Sequence, residues 1–233
     1  MIMNMEKFKI RPPFFVVNPK AYLYGDEVVA LAKVCDKLAE KYDIDFLFTA
    51  QHVDLYRVAH ETEYLIVTAQ HMDGIEPGRG MGRILPEGLK AAGVMATFLN
   101  HAEHPLSTES LSKSVERADE LGLLTIVCAN SIKEAQAVAA LKPDIIVCEP
   151  TSLIGTGESS DISYMKSTND AIRALDAEIY ILQAAGISSG KDVEKALESG
   201  ADASGGTSGI VAAADPAAVV EEMLQVLANW KEK

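Results

Sequence analysis

Apolar runs recur along the chain at a spacing that leaves room for a helix between each pair. They fall at Phe14–Val17, Ile44–Thr49, Tyr64–Gln70, Gly93–Leu99, Leu123–Cys128, Asp144–Cys148, Ile179–Gln183 and, more weakly, Ala201–Thr207. The runs are close to continuously apolar, as strands buried on both faces are, and lack the alternation of a sheet with one wet face. The stretches between them carry helical periodicity. After Gly25-Asp26, residues Val28, Leu31, Ala32, Cys35 and Leu38 share one face. Ser131-Ile132-Lys133-Glu134 has capping-box spacing and opens a helix toward Leu141. Asp192 and Asp215-Pro216 read as starts of later helices, and Gly122 and Gly200 fit helix C-termini. Strands alternating with helices predict a parallel sheet, and eight such units predict an α/β fold of the (β/α)8 barrel type, one domain over residues 1–233. An open doubly wound sheet is the competing arrangement. Residues 1–11 read as a loosely ordered extension. In the last run, Ser204-Gly205-Gly206 offers almost no side chain to fill a core, so access to its backbone is the expected reason for it.

Composition narrows the functional classes. The 233 residues are 48% hydrophobic, enough for one large core, and carry a formal charge of −13. Such acidity argues against nucleic acid or an anionic membrane as partner, so any bound anion needs a local positive site. Three cysteines without CxxC spacing, and no charged-then-apolar leader or long apolar run, point to free thiols in the cytoplasm and to no structural metal.

In a barrel of this kind reactive groups sit where strands end, and three ends stand out. The first continues into Asn18-Pro19-Lys20, the fourth into Asn100-His101-Ala102-Glu103 and the sixth into Glu149-Pro150. Alone, Lys20 reads as a solvated lysine, His101 as a structural histidine and Glu149 as an ordinary strand-end carboxylate. Together they supply a cation, an imidazole and a base around one mouth, the set needed to move a proton beside a carbonyl. Gly155-Thr156-Gly157, Gly186-Ile187-Ser188-Ser189-Gly190 and Thr207-Ser208-Gly209 follow strands six, seven and eight, where backbone amides could converge on a phosphate. Pro150–Gly157 is placed to close over the site, with Thr151-Ser152-Leu153 as its moving tip.

These residues, in order, resemble triosephosphate isomerase, and specifically its shorter archaeal branch. The likeness runs through Asn18-x-Lys20, Ala69-Gln70-His71, Pro77-Gly78 with Gly82, Asn100-His101-x-Glu103, Cys128-Ala129-Asn130, Glu149-Pro150 with Ile154-Gly155-Thr156-Gly157, and Ala185-Gly186-Ile187-Ser188. The resemblance implies a TIM barrel that interconverts dihydroxyacetone phosphate and glyceraldehyde 3-phosphate through an enediolate, without metal or organic cofactor. It makes Glu149 the base, His101 a neutral electrophile and Lys20 the stabilising cation. Asn18 would position the substrate, Glu103 would stand behind Lys20, and Gly155, Ser188, Ser208 and Gly209 would bind phosphate. It further implies a homodimer or homotetramer built through the Gln70–Arg83 region.

The chain departs from the family pattern at several places. Ala102 and His104 stand where a Ser and an Arg are usual, with Pro105 following, Pro19 separates Asn18 from Lys20, Met81 stands where a Thr is expected, and Gly205-Gly206-Thr207-Ser208-Gly209 is richer in glycine. These leave room for a paralogue acting on another sugar phosphate, such as a tetrulose phosphate, or for a barrel that binds a phosphorylated ligand without turnover. His52, His60, His71, Cys148 and Trp230 read as structural.

Overall fold

The computed structural model describes residues 7–149 and 160–232. Within them, parallel strands β1 (Phe14–Val17), β2 (Phe46–Ala50), β3 (Leu65–Ala69), β4 (Ala96–Leu99), β5 (Leu124–Ala129), β6 (Ile145–Cys148), β7 (Tyr180–Gln183) and β8 (Ala203–Gly206) pair in sequence order. Closure of β8 onto β1, with Phe14 opposite Ala203 and Val16 opposite Gly205, makes this a (β/α)8 barrel and excludes the open sheet. The helices α1 (Asp26–Tyr42), α2 (Leu55–Glu61), α3 (Pro86–Ala91), α4 (Thr108–Leu121), α5 (Ile132–Ala139), α6 (Ile162–Arg173) and α7 (Gly190–Glu198) each follow one strand. A four-residue α8 (Ser208–Val211) and the long α9 (Pro216–Lys231) follow the last.

Two hydrophobic clusters account for the unbroken apolar character of the strands. Phe14, Val16, Leu47, Ile66, Phe98, Ile126, Ile145, Val147 and Leu182 form one inside the barrel. Their neighbours in sequence, Phe15, Val17, Phe46, Phe48, Val67, Val127, Ile146 and Ile181, point outward and pack with helix residues such as Val28, Val29, Leu224 and Leu227. Each strand is thus buried on both sides, and residues two apart share a face.

The glycine-rich β8 has a steric origin. A Cβ on Gly205 would lie 2.2 Å from the Val16 carbonyl oxygen and 2.8 Å from the Val16 Cβ. Bare backbone is what lets the last strand lie close enough to the first to complete the hydrogen-bonded ring, so close approach, not ligand access, explains this residue.

At the N-terminal face, aspartates that precede strands are committed to structure. Asp144 accepts from Thr125 N at 2.8 Å, and Asp202 accepts from Ile181 N at 2.7 Å while pairing with Arg173. The described part of the leading segment is tied into this face and is not loose. Lys7 bridges Asp144 and Asp119, Arg11 pairs with Asp45 and Asp43, and Ile10 is buried against the floor of the barrel. Residues 7–11 are therefore held by two charged anchors and one apolar one.

Helix termini follow the expected chemistry with small shifts. Ser131 Oγ accepts from Glu134 N, and Asp215 caps α9 by accepting from Ala218 N. Gly122 takes the left-handed conformation after α4, with φ of 66°. The seventh helix starts at Gly190, two residues before the expected Asp192, whose carboxylate instead accepts from Ser188 and Ser189 in the preceding turn. Gly205→Ala should destabilise the protein by about 1–3 kcal/mol through overpacking at the β1–β8 seam. Denaturant unfolding tests this, and an unchanged midpoint would show that the seam has slack.

Candidate active site

The inward alternation of the barrel carries straight into its mouth. The step from Val16 to Asn18 and the step from Val147 to Glu149 each continue the inner face beyond the end of a strand. Both side chains line a cleft at the C-terminal face with Lys20 and His101, over a floor that includes Phe98, Val147 and Leu182. Gly186, Ile187, Gly206, Thr207 and Ser208 form the opposite wall.

Lys20 occupies a left-handed backbone conformation with φ of 48°, unusual for a side chain of its size. Two side chains hold it there. Asn18 Oδ1 accepts from the Lys20 N–H at 3.0 Å, and Gln70 Nε2 donates to the Lys20 carbonyl at 2.9 Å. The Asn18 N–H donates to Gly206 O, joining this loop to β8. The ammonium is mostly buried and donates to Glu103 Oε1 at 2.6 Å. Partial burial pushes the Glu103 carboxyl up, but Lys20 outweighs it and holds the carboxyl below its usual range.

At His101, the backbone N–H of Glu103 donates to Nδ1 at 3.1 Å. An Nδ1 that accepts must be unprotonated, so the ring is neutral and carries its proton on Nε2. Burial and the Lys20 cation both lower the pKa of His101 and outweigh the opposing Glu103 charge. The Glu149 backbone N–H donates to Ala129 O. Burial drives the Glu149 carboxyl up to about 7, with Glu103 adding to the rise and Lys20 opposing it. The mouth thus combines a fixed ammonium, a neutral imidazole able to donate, and a carboxyl whose proton is labile near neutrality.

The expected phosphate-binding positions separate. Ser208 lines the cleft; Ser188 and Gly209 do not. The Ser188 N–H and Oγ both point to Asp192 Oδ2 at 3.1 Å. Gly209 lies behind, where a Cβ would meet Ser188 Cα at 2.6 Å, so its lack of a side chain lets the two loops pack together. Gly155 and the Pro150–Gly157 segment lie outside the described residues.

Three residues that support the site escaped attention as functional positions. Asn100 has φ of 58°, its Nδ2 donates to Cys128 O and Glu134 Oε1, and its Oδ1 accepts from Leu106 N. Gln70 ends the third apolar run and opens the expected docking region, but its amide also braces Lys20. Glu134 carried a capping signal, yet its carboxylate accepts from Asn130 N and Asn100 Nδ2. Gln70 and Asn100 are polar residues that directly follow strands, whereas Glu134 lies in the first turn of α5.

The remaining histidines and cysteines are engaged structurally. His52 Nε2 meets His71 O at 2.7 Å, and His71 stacks on His104. Cys35, Cys128 and Cys148 are buried and free, with Cys148 Sγ 3.7 Å from Tyr164 OH. Among the described residues, no group of three or more His, Cys, Asp or Glu could hold a metal ion, and no helix is long and apolar enough to cross a membrane.

Comparison with known proteins agrees with the geometry. The family model for triosephosphate isomerase matches residues 13–223. A triosephosphate isomerase of Methanobacterium bryantii is 36% identical over 209 residues, covering 88% of this chain and 92% of the relative. That of Methanosarcina mazei is 36% identical over 220 residues, covering 92% and 99%. That of Sulfolobus acidocaldarius is 33% identical over 228 residues, covering 96% and 99%. A neutral imidazole, a caged lysine and a carboxyl poised near neutrality at the mouth of a closed barrel, together with these full-length likenesses, show that the chain belongs to the triosephosphate isomerase family.

Proposed function

We propose that this protein interconverts dihydroxyacetone phosphate and glyceraldehyde 3-phosphate, with Glu149, His101 and Lys20 as its catalytic residues. The observation that carries this reading is the protonation pattern of the mouth. A base must reclaim its proton readily, and an electrophile that is to donate a hydrogen bond must not already be a strong acid. Here Glu149 titrates near neutrality and His101 is held neutral with Nε2–H free to donate.

From the ketone, Glu149 removes a proton from the hydroxyl-bearing carbon beside the carbonyl and returns it to the former carbonyl carbon, while the hydroxyl proton passes to the former carbonyl oxygen by way of His101. His101 donates to the oxygen that becomes negative, and Lys20 stabilises the charge of the enediolate and the substrate phosphate. Glu103 keeps Lys20 aimed, and Asn18 orients the substrate beside it. The phosphate sits against the wall of Gly186, Ile187, Gly206, Thr207 and Ser208. Ser208 contributes from the cleft lining, while Ser188 and Gly209 act by fixing the paired loops. No cofactor enters these steps.

We also infer that the chain works as a homo-oligomer in the cytoplasm. Met81, at the tip of the loop between β3 and α3, is fully exposed, and Tyr22, Tyr24, Val53 and Tyr56 are exposed apolar residues in the first two loops and at the start of α2. Apolar surface on that scale favours association. Three unpaired thiols suit a reducing compartment.

Purified protein should isomerise triose phosphates, and Glu149→Asp, which withdraws the carboxylate by one methylene, should lower kcat on the order of 10²-fold with little change in KM. Normal turnover in that variant would remove Glu149 from the mechanism. Faster turnover of a tetrulose phosphate than of the triose would reassign the substrate.

The pH dependence follows from the sign of the Glu149 shift. Its folded-state pKa lies above the unfolded value, so ionising it subtracts stability as pH rises from the ordinary carboxyl range to about 7, whereas catalysis needs the ionised form. In the ligand-free protein the ¹³C-labelled Glu149 carboxyl should titrate near 7, and kcat/KM should fall as pH drops through that value. Lys20→Met should move the midpoint higher. A midpoint in the ordinary range would contradict the assignment.

Met81→Asp should shift the sedimentation profile toward smaller species. An unchanged mass would move the interface elsewhere.

A further inference from the structure

We propose that Asn100 and Glu134 are positioning residues that hold His101 in its reactive orientation and tautomer. The proposal rests on the isomerase reading for its kinetic consequence, but its geometry stands apart from it.

Asn100 is the last residue before His101 and takes a left-handed backbone conformation, φ 58°. Asparagine reaches that region more easily than most residues, but it stays there only when its surroundings hold it. Three side-chain hydrogen bonds do so. Asn100 Nδ2 donates to the Cys128 carbonyl at 3.0 Å and to Glu134 Oε1 at 3.1 Å, and Oδ1 accepts from the Leu106 N–H at 3.0 Å. The first bond fixes the end of β4 to the end of β5. The second ties it to α5, and the third closes residues 101–105 into a loop stapled at both ends.

Two consequences follow for the imidazole. Continuing β4 beyond Phe98 would turn Asn100 inward and send His101 outward, so the left-handed step is what redirects His101 into the cleft. The stapled loop also contains the donor that sets the tautomer. The Glu103 N–H meets His101 Nδ1 at 3.1 Å, and the His104 N–H meets His101 O at 2.8 Å. Both bonds depend on the turn keeping its shape.

Glu134 is itself immobilised. Its Oε2 accepts from Asn130 N at 2.8 Å, and its backbone N–H donates to Ser131 Oγ. A carboxylate shared between an amide side chain and a backbone N–H gives a charge-assisted clamp whose second anchor is the start of a helix. Its place in the sequence suggested a helix cap alone; its oxygens serve the neighbouring strand end.

The test uses the full-length protein with Asn100→Gly, Asn100→Asp, Glu134→Gln and the double variant Asn100→Asp/Glu134→Gln. Asn100→Gly leaves the left-handed backbone accessible but removes the three bonds. It should lower kcat about 10- to 100-fold with KM within about threefold, and ¹⁵N spectra of His101 should change from a single Nε2–H tautomer to a mixture. Asn100→Asp sets two carboxylates against each other and should lose activity. Adding Glu134→Gln restores a donor between them and should recover part of kcat.

Unchanged kcat and an unchanged tautomer in Asn100→Gly would overturn the proposal. So would a loss of melting temperature with no tautomer change and no rescue in the double variant. A wild-type protein without triose isomerase activity would defeat the functional reading instead, and the tautomer comparison would still decide whether the clamp orients His101.

Discussion

Closure of the barrel is the constraint on which the rest of this molecule depends. A parallel sheet of eight strands loses its edges only if the last strand can lie against the first, and here that contact is set by Gly205 against Val16. Once the ring is complete, every strand has an inside and an outside and the period-two alternation acquires a single axis. The inner face of β1 runs from Phe14 through Val16 to Asn18, and that of β6 from Ile145 through Val147 to Glu149. The cleft-lining Asn18 and Glu149 are therefore core positions continued by one step, where the same register that fills the interior delivers polar groups to its rim.

Crowding those groups at a partly desolvated rim is what gives them unequal proton affinities. Lys20 lies close enough to stabilise negative charge on Glu103, to oppose protonation of His101 and to moderate the rise of Glu149. The two carboxyls consequently diverge: the one bonded to the ammonium is held low, and the partly buried one without such a bond is driven up. Placement sets the role of each, since both are glutamates. Two of the left-handed non-glycine residues lie in the same region, Lys20 and Asn100 immediately after β1 and β4. At both positions side-chain amides secure the unusual conformation, Gln70 and Asn18 at the first and the amide of Asn100 itself at the second.

Much of this was legible from the chain alone. The fold followed from apolar runs spaced for intervening helices, because a strand buried on both faces leaves an unambiguous mark. The meeting of Lys20, His101 and Glu149 at one cleft followed from their places at strand ends. What the pattern concealed was anything that depends on distance between remote segments. Gly205 suggested ligand access because its true partner, Val16, is nearly the whole chain away. Ser188 looked like a donor to phosphate, but Asp192, only four residues on, takes both its N–H and its hydroxyl. Lys7 and Arg11 fell within an expected loose extension because Asp144, Asp119 and Asp45 come beneath them only after the barrel has closed. Glu134 advertised a helix cap, and nothing local to it indicates a side chain on β4.

The anchoring of residues 7–11 bears on how the barrel is finished at the end away from the cleft. Ile10 inserts among the interior side chains, its carbonyl accepts from Tyr180 OH at 3.4 Å, and the Tyr180 ring meets Phe14 edge-on. Residues 7–11 are thus a stopper seated at the N-terminal end of the barrel, covering the lowest layer of the core. Shortening the chain to the first strand would uncork that layer and strip Asp45 and Asp144 of their cationic partners in the same cut, so the start of the folded unit lies several residues before the start of its first strand.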